Sequence, residues 1–528
     1  MKIGDMTLKE KILQTAVVRI KREEFAPLQA GAAFFFGEII TDADDMGIAG
    51  ARELLQQYQD QAEIPLLITS DFENGCGGML QGFTEMPYLM GLGAAGSEKL
   101  AYNYGKATAL EARSIGANWS FSPVSDLNLN FRNPLVNVRG LTDDPELAVR
   151  LLRQVVRGMQ DHGLAACAKH FPGDGVDWRD QHIITTHNTL SMKEWRELSG
   201  HVFEQLIAEG VYSIMPGHIT LPAFQKQRVR EGLCLPATLS EELISGLLKQ
   251  EMGFDGVVVT DATDMGGYLG WYPTKEQSEI ESMRAGCDMI LWPTKNYVAN
   301  MTEAVENGYI SMERLDDAVS RVLDMKEKLG LFQKSTKPAE LSVEEKCFVK
   351  DTAKDVAEQS LTLMRNQLEV LPIDTKKIHK VAYIPVANYE KVLDNQAILL
   401  KDLLEKRGLE VEYFPQGISS EENESVCERN DLVLYALFSR SFRPIGFLDY
   451  YGSAANRIAK SLSCGAEKTV IVSFGSPYFF RQYFERAYTY VNAYAMVDCS
   501  VEAFVRAMFG EIGFLGVSPV NIDVISLN

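Results

Sequence analysis

No two cysteines form a Cys-x-x-Cys pair, and the eight present, at 76, 167, 234, 287, 347, 427, 464 and 499, are scattered. That pattern argues against a zinc site or a disulfide framework and predicts buried thiols in a reducing compartment. The N-terminus lacks the basic head, apolar stretch and small-residue cleavage site of a signal peptide, and no apolar run is long enough to span a bilayer. A cytoplasmic protein without a membrane partner is expected. Gly-x-Gly-x-x-Gly, a phosphate-binding loop, internal repeats and low-complexity tracts are also missing. Positive charge is in deficit: the net charge is -20, which repels a polyanion and argues against nucleic acid as a partner.

What is present is the composition of a soluble globular protein, 46% apolar and 23% charged over 528 residues, a length that suits two domains. Thr7 and Glu10 bracket a capping box, with Leu8 and Ile12 on one helical face. Eight short apolar runs follow, at 15–20, 32–38, 65–71, 118–124, 165–171, 212–218, 257–261 and 288–292. Each leaves enough chain for a crossover helix. One such helix is clear at 240–252, with Leu243, Ile244, Leu247 and Leu248 at helical spacing.

Eight β-then-α units predict an N-terminal (β/α)8 barrel of the TIM type over residues 1–332, with an open doubly wound sheet as the competitor. Residues 333–360 read as a linker, polar and carrying Pro338 over 333–345 and with an apparent helix over 349–358. Strand candidates at 381–385, 411–414, 432–438, 469–474 and 488–493 predict a smaller three-layer α/β/α sandwich over 361–528.

Ionisable residues gather just after the N-terminal strands. Asp71, the Lys169-His170 pair, His218 and Asp261 each end an apolar run. In a barrel these ends share the face where active sites sit. Six of the seven histidines lie between His162 and His218. His162 and His201 sit in helix-like surroundings, whereas His170, His182 and His218 fall in loops or at strand ends. Pro172, Gly173 and Gly175 turn the chain into a loop that carries Asp180 and His182. Two residues apart in extended chain, these two point the same way, so the carboxylate can orient the imidazole and raise its basicity.

The run Lys169-His170-Phe171-Pro172-Gly173-Asp174-Gly175 through Asp180-Gln181-His182 resembles the Lys-His-Phe-Pro-Gly-His-Gly…Asp-x-His signature of family 3 glycoside hydrolases, β-N-acetylglucosaminidase branch. Asp71-Phe72-Glu73-Asn74-Gly75 is similar to that family's Asp-x-Glu-Gly-Gly. Ser122-Pro123-Val124-Ser125-Asp126, Asn137-Val138-Arg139 and the Gly253–Asp261 strand continue the resemblance in order. It implies the barrel and a double displacement through a covalent glycosyl-enzyme. Asp261 would be the nucleophile, and His182 assisted by Asp180 the acid/base. Asp71, Arg139, Lys169 and His170 would bind sugar hydroxyls, with Asp126, Asp174 and His218 as further contacts. The substrate implied is a small carbohydrate ending in a β-linked N-acetylhexosamine, turned over without a cofactor or metal by a monomer or homodimer.

Three positions depart from the family pattern: Asp174 for histidine, Asn74 for glycine, and Gly140-Leu141 after Arg139. They bear on sugar identity, so a β-glucosidase-like specificity stays open. A histidine acid/base also admits phosphorolysis, since it need not repel phosphate as a carboxylate does. From other classes, His170, His182, His187 and His218 with nearby aspartates could hold a divalent metal, although their spacing matches no ligand motif. A non-catalytic carbohydrate-binding barrel is the remaining alternative.

Overall fold

The computed structural model describes residues 3–20, 30–35, 47–333, 337–388, 393, 395–419, 421–439, 441 and 446–522. Each of the eight apolar runs forms a short strand. These are β1 (Ala16–Arg19), β2 (Ala32–Phe34), β3 (Leu67–Ser70), β4 (Trp119–Ser120), β5 (Cys167–Phe171), β7 (Ser213–Pro216), β9 (Val257–Val258) and β10 (Ile290–Leu291). Of the run at 32–38, Phe36, Gly37 and Glu38 lie outside the described residues. Between these strands, β6 (Thr186–His187) and β8 (Ile219–Thr220) form a small separate parallel pair.

The eight strands close on themselves. Parallel ladders join β10, β1, β2, β3 and β4 in that order, and a second set joins β5, β7 and β9. Single parallel bridges complete the ring: Trp119 to Ala165 between β4 and β5, and Val259 to Met289 between β9 and β10. The outcome is a (β/α)8 barrel, and the open sheet is excluded.

Strand period explains the packing. Ala32 and Phe34, Ala165 and Cys167, Val257 and Val259, and Met289 and Leu291 fill the barrel interior. Their neighbours Ala33, Ala166, Val258 and Ile290 turn outward into the layer shared with the helices. The expected capping box at Thr7 and Glu10 opens the helix Leu8–Gln14. The helix expected at 240–252 runs over Glu242–Glu251 and buries the four predicted side chains. It is wound wider than an α-helix, with Met252 N–H donating to Leu247 O.

The stretch read as a linker is largely helical. Ser342 and Glu345 form a capping box that opens an 18-residue helix, Val343–Ser360. Val349, Ala353 and Val356 on it join the barrel's core, while Ala357 joins that of the second domain. The helix expected over 349–358 thus extends back to Val343 and forward to Ser360.

The second domain is a six-stranded sheet of β11 (Thr362–Asn366), β12 (Lys380–Ala387), β13 (Glu410–Tyr413), β14 (Leu432–Phe438), β15 (Thr469–Phe474) and β16 (Thr489–Asn492). Their order is β11-β16-β15-β14-β12-β13, parallel except for β11. Helices Gln396–Lys406 and Asp498–Met508 cover one face and Ser453–Lys460 and Phe479–Tyr483 the other, giving three layers. Met90, Ala94 and Val138 of the barrel pack into this second core, and Ser441 Oγ donates to Pro134 O at 2.6 Å. The sandwich therefore docks beside the loops that leave the C-terminal face of the barrel.

Candidate active site

At that face Asp261 follows β9 by three residues, and the local ladder fixes its backbone: Thr260 N–H donates to Met289 O and Asp261 N–H to Pro216 O. Its Oδ1 accepts from Ala262 N–H at 2.7 Å, and its Oδ2 lies 3.9 Å from His170 Nε2. Burial alone would push this carboxyl up. His170, His218, His182 and Lys169 outweigh burial and hold it below the ordinary aspartate value. Asp261 is thus an ionised carboxylate at a rigid strand end.

His182 sits on the loop opposite, partly exposed, with Nδ1 at 2.8 Å from the buried Asp180 Oδ1. The same oxygen accepts His182 N–H at 2.8 Å. A carboxylate only accepts, so Nδ1 carries the proton it donates, and no hydrogen bond engages Nε2 of this partly exposed ring among the described residues. The loop is bound to the segment that follows Asp261: Gly266 N–H donates to His182 O at 2.8 Å and Gly267 N–H to Gln181 O at 3.1 Å. Glycine is required there. A Cβ on Gly266 would stand 2.2 Å from Ile183 O, and one on Gly267 2.5 Å from Gln181 O.

A buried charged chain lines the adjoining floor. Lys169 Nζ lies 2.8 Å from Asp71 Oδ1 and 2.7 Å from Glu73 Oε1. Glu73 in turn receives two hydrogen bonds from the Arg139 guanidinium, at 2.7 and 2.8 Å. Burial would lower the guanidinium's affinity for its proton, and Glu73, Asp126 and Asp71 reverse this and raise it. His170 Nδ1 is held by Asp126 Oδ2 at 2.7 Å, while Asp126 Oδ1 accepts both His170 N–H and Asp174 N–H.

The structure thus gathers Asp71, Asp126, Arg139, Lys169, His170, Asp180, His182 and Asp261 at one face. It corrects the expected roles of two others. His218 is fully buried, with Nδ1 on Thr238 Oγ1 and Nε2 on Ala262 O, both at 3.0 Å. It supports the backbone behind Asp261 and has no ring nitrogen left for a sugar. Asp174 is buried too, its oxygens engaged by Asn133 Nδ2, Gly175 N–H and Gln181 Nε2. Burial and the nearby Asp126 push its carboxyl up to about 7. It shapes the loop from within. Glu73 was not singled out from sequence, yet it joins Lys169 to Arg139; its place two residues after Asp71 was the available signal. Among the described residues no group of three or more His, Cys, Asp or Glu side chains could hold a metal ion, and no helix is long and apolar enough to cross a membrane.

A closed barrel with an ionised aspartate at a strand end, an Asp-His pair on a neighbouring loop and buried polar groups around them has the make-up of a glycosidase site. The model of the glycosyl hydrolase family 3 N-terminal domain matches residues 7–325, and the chain belongs to that family. It is 35% identical over 496 residues to a β-N-acetylglucosaminidase/β-glucosidase of Cellulomonas fimi, covering 90% of this chain and 87% of the relative. A β-hexosaminidase of Neisseria meningitidis serogroup C (strain 053442) is 30% identical, over 48% of this chain and 70% of its own. Among solved structures, the β-glucoside phosphorylase BglX bound to 2FGlc superposes with a TM-score of 0.89 at 27% identity, covering 98% of this chain and 95% of that one. A family 3 β-N-acetylglucosaminidase from Paenibacillus sp. str. FPU-7 gives 0.82, also at 27% identity, covering 98% and 99%.

Proposed function

We propose that this β-glycosidase is a retaining, exo-acting enzyme that releases a terminal β-linked N-acetylhexosamine, N-acetylglucosamine foremost. The carrying observation is the pairing of an ionised Asp261 with a His182 whose Nδ1 is tied to Asp180 and whose Nε2 is left for the substrate. In the first step an Asp261 oxygen bonds to the anomeric carbon, the glycosidic C–O bond breaks, and the proton on His182 Nε2 passes to the departing oxygen. In the second, a water oxygen attacks the same carbon and returns a proton to Nε2, and the bond to Asp261 breaks. Two inversions leave the configuration unchanged. Asp71, Lys169, Arg139 and His170 supply the donors and acceptors that a polar, uncharged pyranose needs. The names of the Cellulomonas and Paenibacillus proteins support the 2-acetamido sugar.

A second reading shares the first step and gives the second to phosphate, releasing a sugar 1-phosphate. The imidazole acid/base favours it, since a carboxylate in that place would repel the dianion. The similarity to BglX supports it.

The deciding experiment is turnover of aryl β-glycosides of N-acetylglucosamine and of glucose, with and without phosphate. Faster N-acetylglucosaminide turnover, indifferent to phosphate, supports the first reading. A rate that rises with phosphate and yields sugar 1-phosphate replaces hydrolysis by phosphorolysis, and preference for the glucoside overturns the sugar assignment.

A further inference from the structure

Arg139, whose guanidinium grips Glu73 in the floor, ends a short turn, Asn137–Arg139, that both domains touch. On the barrel side the turn is closely tied. Arg139 N–H and Gly140 N–H both donate to Val136 O, at 2.7 and 3.0 Å, and Arg139 Nη1 donates to Leu135 O at 3.2 Å. Asn128 Nδ2 donates to Asn137 O at 3.0 Å. Gly140 belongs to this packing: a Cβ there would stand 2.5 Å from Val136 Cγ1, 2.8 Å from Asn128 Nδ2 and 2.9 Å from Asp126 O. The departure from the family pattern at position 140 is what so close a turn demands.

The turn starts on an unusual backbone. Asn137 has φ +30°, in the left-handed region that most side chains avoid and asparagine tolerates best. Its side chain, 2% exposed, is held at both ends: Oδ1 accepts Val138 N–H at 3.0 Å, and Nδ2 donates to Ser476 Oγ of the sandwich at 3.2 Å. Ser476 is itself fixed. It follows β15, its N–H donates to Ser439 Oγ just past β14, and its carbonyl accepts Ser473 Oγ, both at 2.9 Å. A Cβ on the intervening Gly475 would stand 2.1 Å from Ser439 Oγ, so the two strand ends are pressed together. Val138, between Asn137 and Arg139, is buried with the sandwich's core residues rather than the barrel's.

The guanidinium is thus aimed by a backbone whose anchor lies in the other domain. We propose that Ser476 is a positioning residue: through Asn137 it holds the left-handed start of the turn, and with it the aim of Arg139 at the bound sugar. This rests on the reading of Arg139 as a hydroxyl-binding group. The role needs no contact between Ser476 and substrate. Losing the Ser476 hydroxyl removes the bond that anchors the Asn137 amide, and the strained φ can relax. A turn of three residues passes that relaxation directly to Arg139, whereas Asp261 and His182 stand on other elements. Ser476 therefore governs sugar affinity and leaves the chemical step nearly alone.

The test is steady-state kinetics of the full chain on the aryl β-glycoside that the wild type turns over fastest. Ser476→Ala is expected to raise KM about three- to tenfold, the scale of one lost neutral hydrogen bond, with kcat within about twofold. Asn137→Gly takes the same φ without strain and breaks the same link from the barrel side, so it should raise KM too, and it carries the test should Ser476→Ala not fold. Arg139→Lys should raise KM further. Adding Ser476→Ala to it should then change KM little, because the planar fork that the turn aims is gone. A wild-type KM in either Ser476→Ala or Asn137→Gly, a loss carried by kcat, or a KM rise of equal size in the Arg139→Lys background overturns the proposal. A wild-type KM in Arg139→Lys overturns the reading of Arg139 beneath it, which tells the two failures apart.

Discussion

His170 faces two aspartates at once: Nδ1 lies 2.7 Å from Asp126 Oδ2, and Nε2 lies 3.9 Å from Asp261 Oδ2. The imidazole links the buried polar floor to Asp261, the nucleophile proposed above. With Lys169 from the same strand it biases Asp261 toward its anion. That electrostatic setting makes the nucleophile testable apart from the acid/base.

Asp261→Ala is expected to abolish turnover while leaving the fold intact, since the residue lies at the barrel mouth. Azide supplied to this variant should restore release of an activated aryl leaving group and form a glycosyl azide of inverted configuration. Wild-type turnover by Asp261→Ala, or an azide product of retained configuration, would count against the assigned role.

Removing His182 by His182→Ala should lower kcat/KM by about 10²–10⁴-fold for glycosides with poor leaving groups, the range of general acid/base catalysis. Dinitrophenyl glycosides, which leave without a proton, should lose far less. Asp180→Asn should follow the same ranking more weakly, because it loosens the Nδ1 contact of 2.8 Å rather than deleting the ring. Equal losses across leaving groups would show that His182 does not protonate the aglycone.

Gly266→Ala places a methyl group 2.2 Å from Ile183 O, and backbone must shift to admit it. The expected result is a fall in kcat of about 10²-fold, the cost of misplacing a catalytic group by about 1 Å, with Tm little changed. Unaltered kcat would mean that the loop adjusts freely.

Glu73→Gln tests the buried chain. Arg139 and Lys169 would lose a shared anion in a site nearly closed to water, and breaking such a buried pair costs about 3–5 kcal/mol. Denaturant unfolding should show that loss, and KM should rise because Lys169 and Arg139 lose their positions. Stability equal to wild type would remove Glu73 from the framework.

Lys326 provides a pH prediction remote from the site. Its ammonium is fully buried against Gln14 Oε1 at 2.6 Å, and burial pulls its pKa down to about 7. Folding therefore disfavours the charged form, with a cost on the order of 5 kcal/mol below pH 7. Between about pH 7 and the unfolded value near 10.5 the unfolded chain holds more protons, so stability from this group rises with pH. Lys326→Met should remove that rise, and its stability relative to wild type should be greatest below pH 7. The Gln14 amide left behind offsets part of the gain, by about 1–3 kcal/mol. Parallel pH–Tm curves for the two proteins would refute the assignment.

The barrel was legible because its strands are buried on both faces and so read as short apolar runs. Asp261, His182 and Asp180 were legible through spacing and family resemblance. Contacts across the ring were not. Nothing local marks His218 as a support under Ala262 O, since a histidine at a strand end looks the same whether it faces ligand or backbone. Glu73 is two residues from Asp71, but its partner Arg139 is 66 residues away, a pairing only the closed barrel creates. The helix Val343–Ser360 was legible in part: its later turns read as helical over 349–358, while the turns opened by Ser342 lie in and just after the polar stretch before it.

The two hydrogen bonds from Gly266 and Gly267 to the His182 loop have a consequence for how such a site can change. They join main chain to main chain, so the spacing between the Asp261 strand end and the His182 loop is gauged by backbone, like the jaws of a locked caliper. Side chains at 182 can be exchanged without resetting that gauge. Under the proposed mechanism, the proton's source could then change by substitution at 182 while the strand end carrying Asp261 stays where it is.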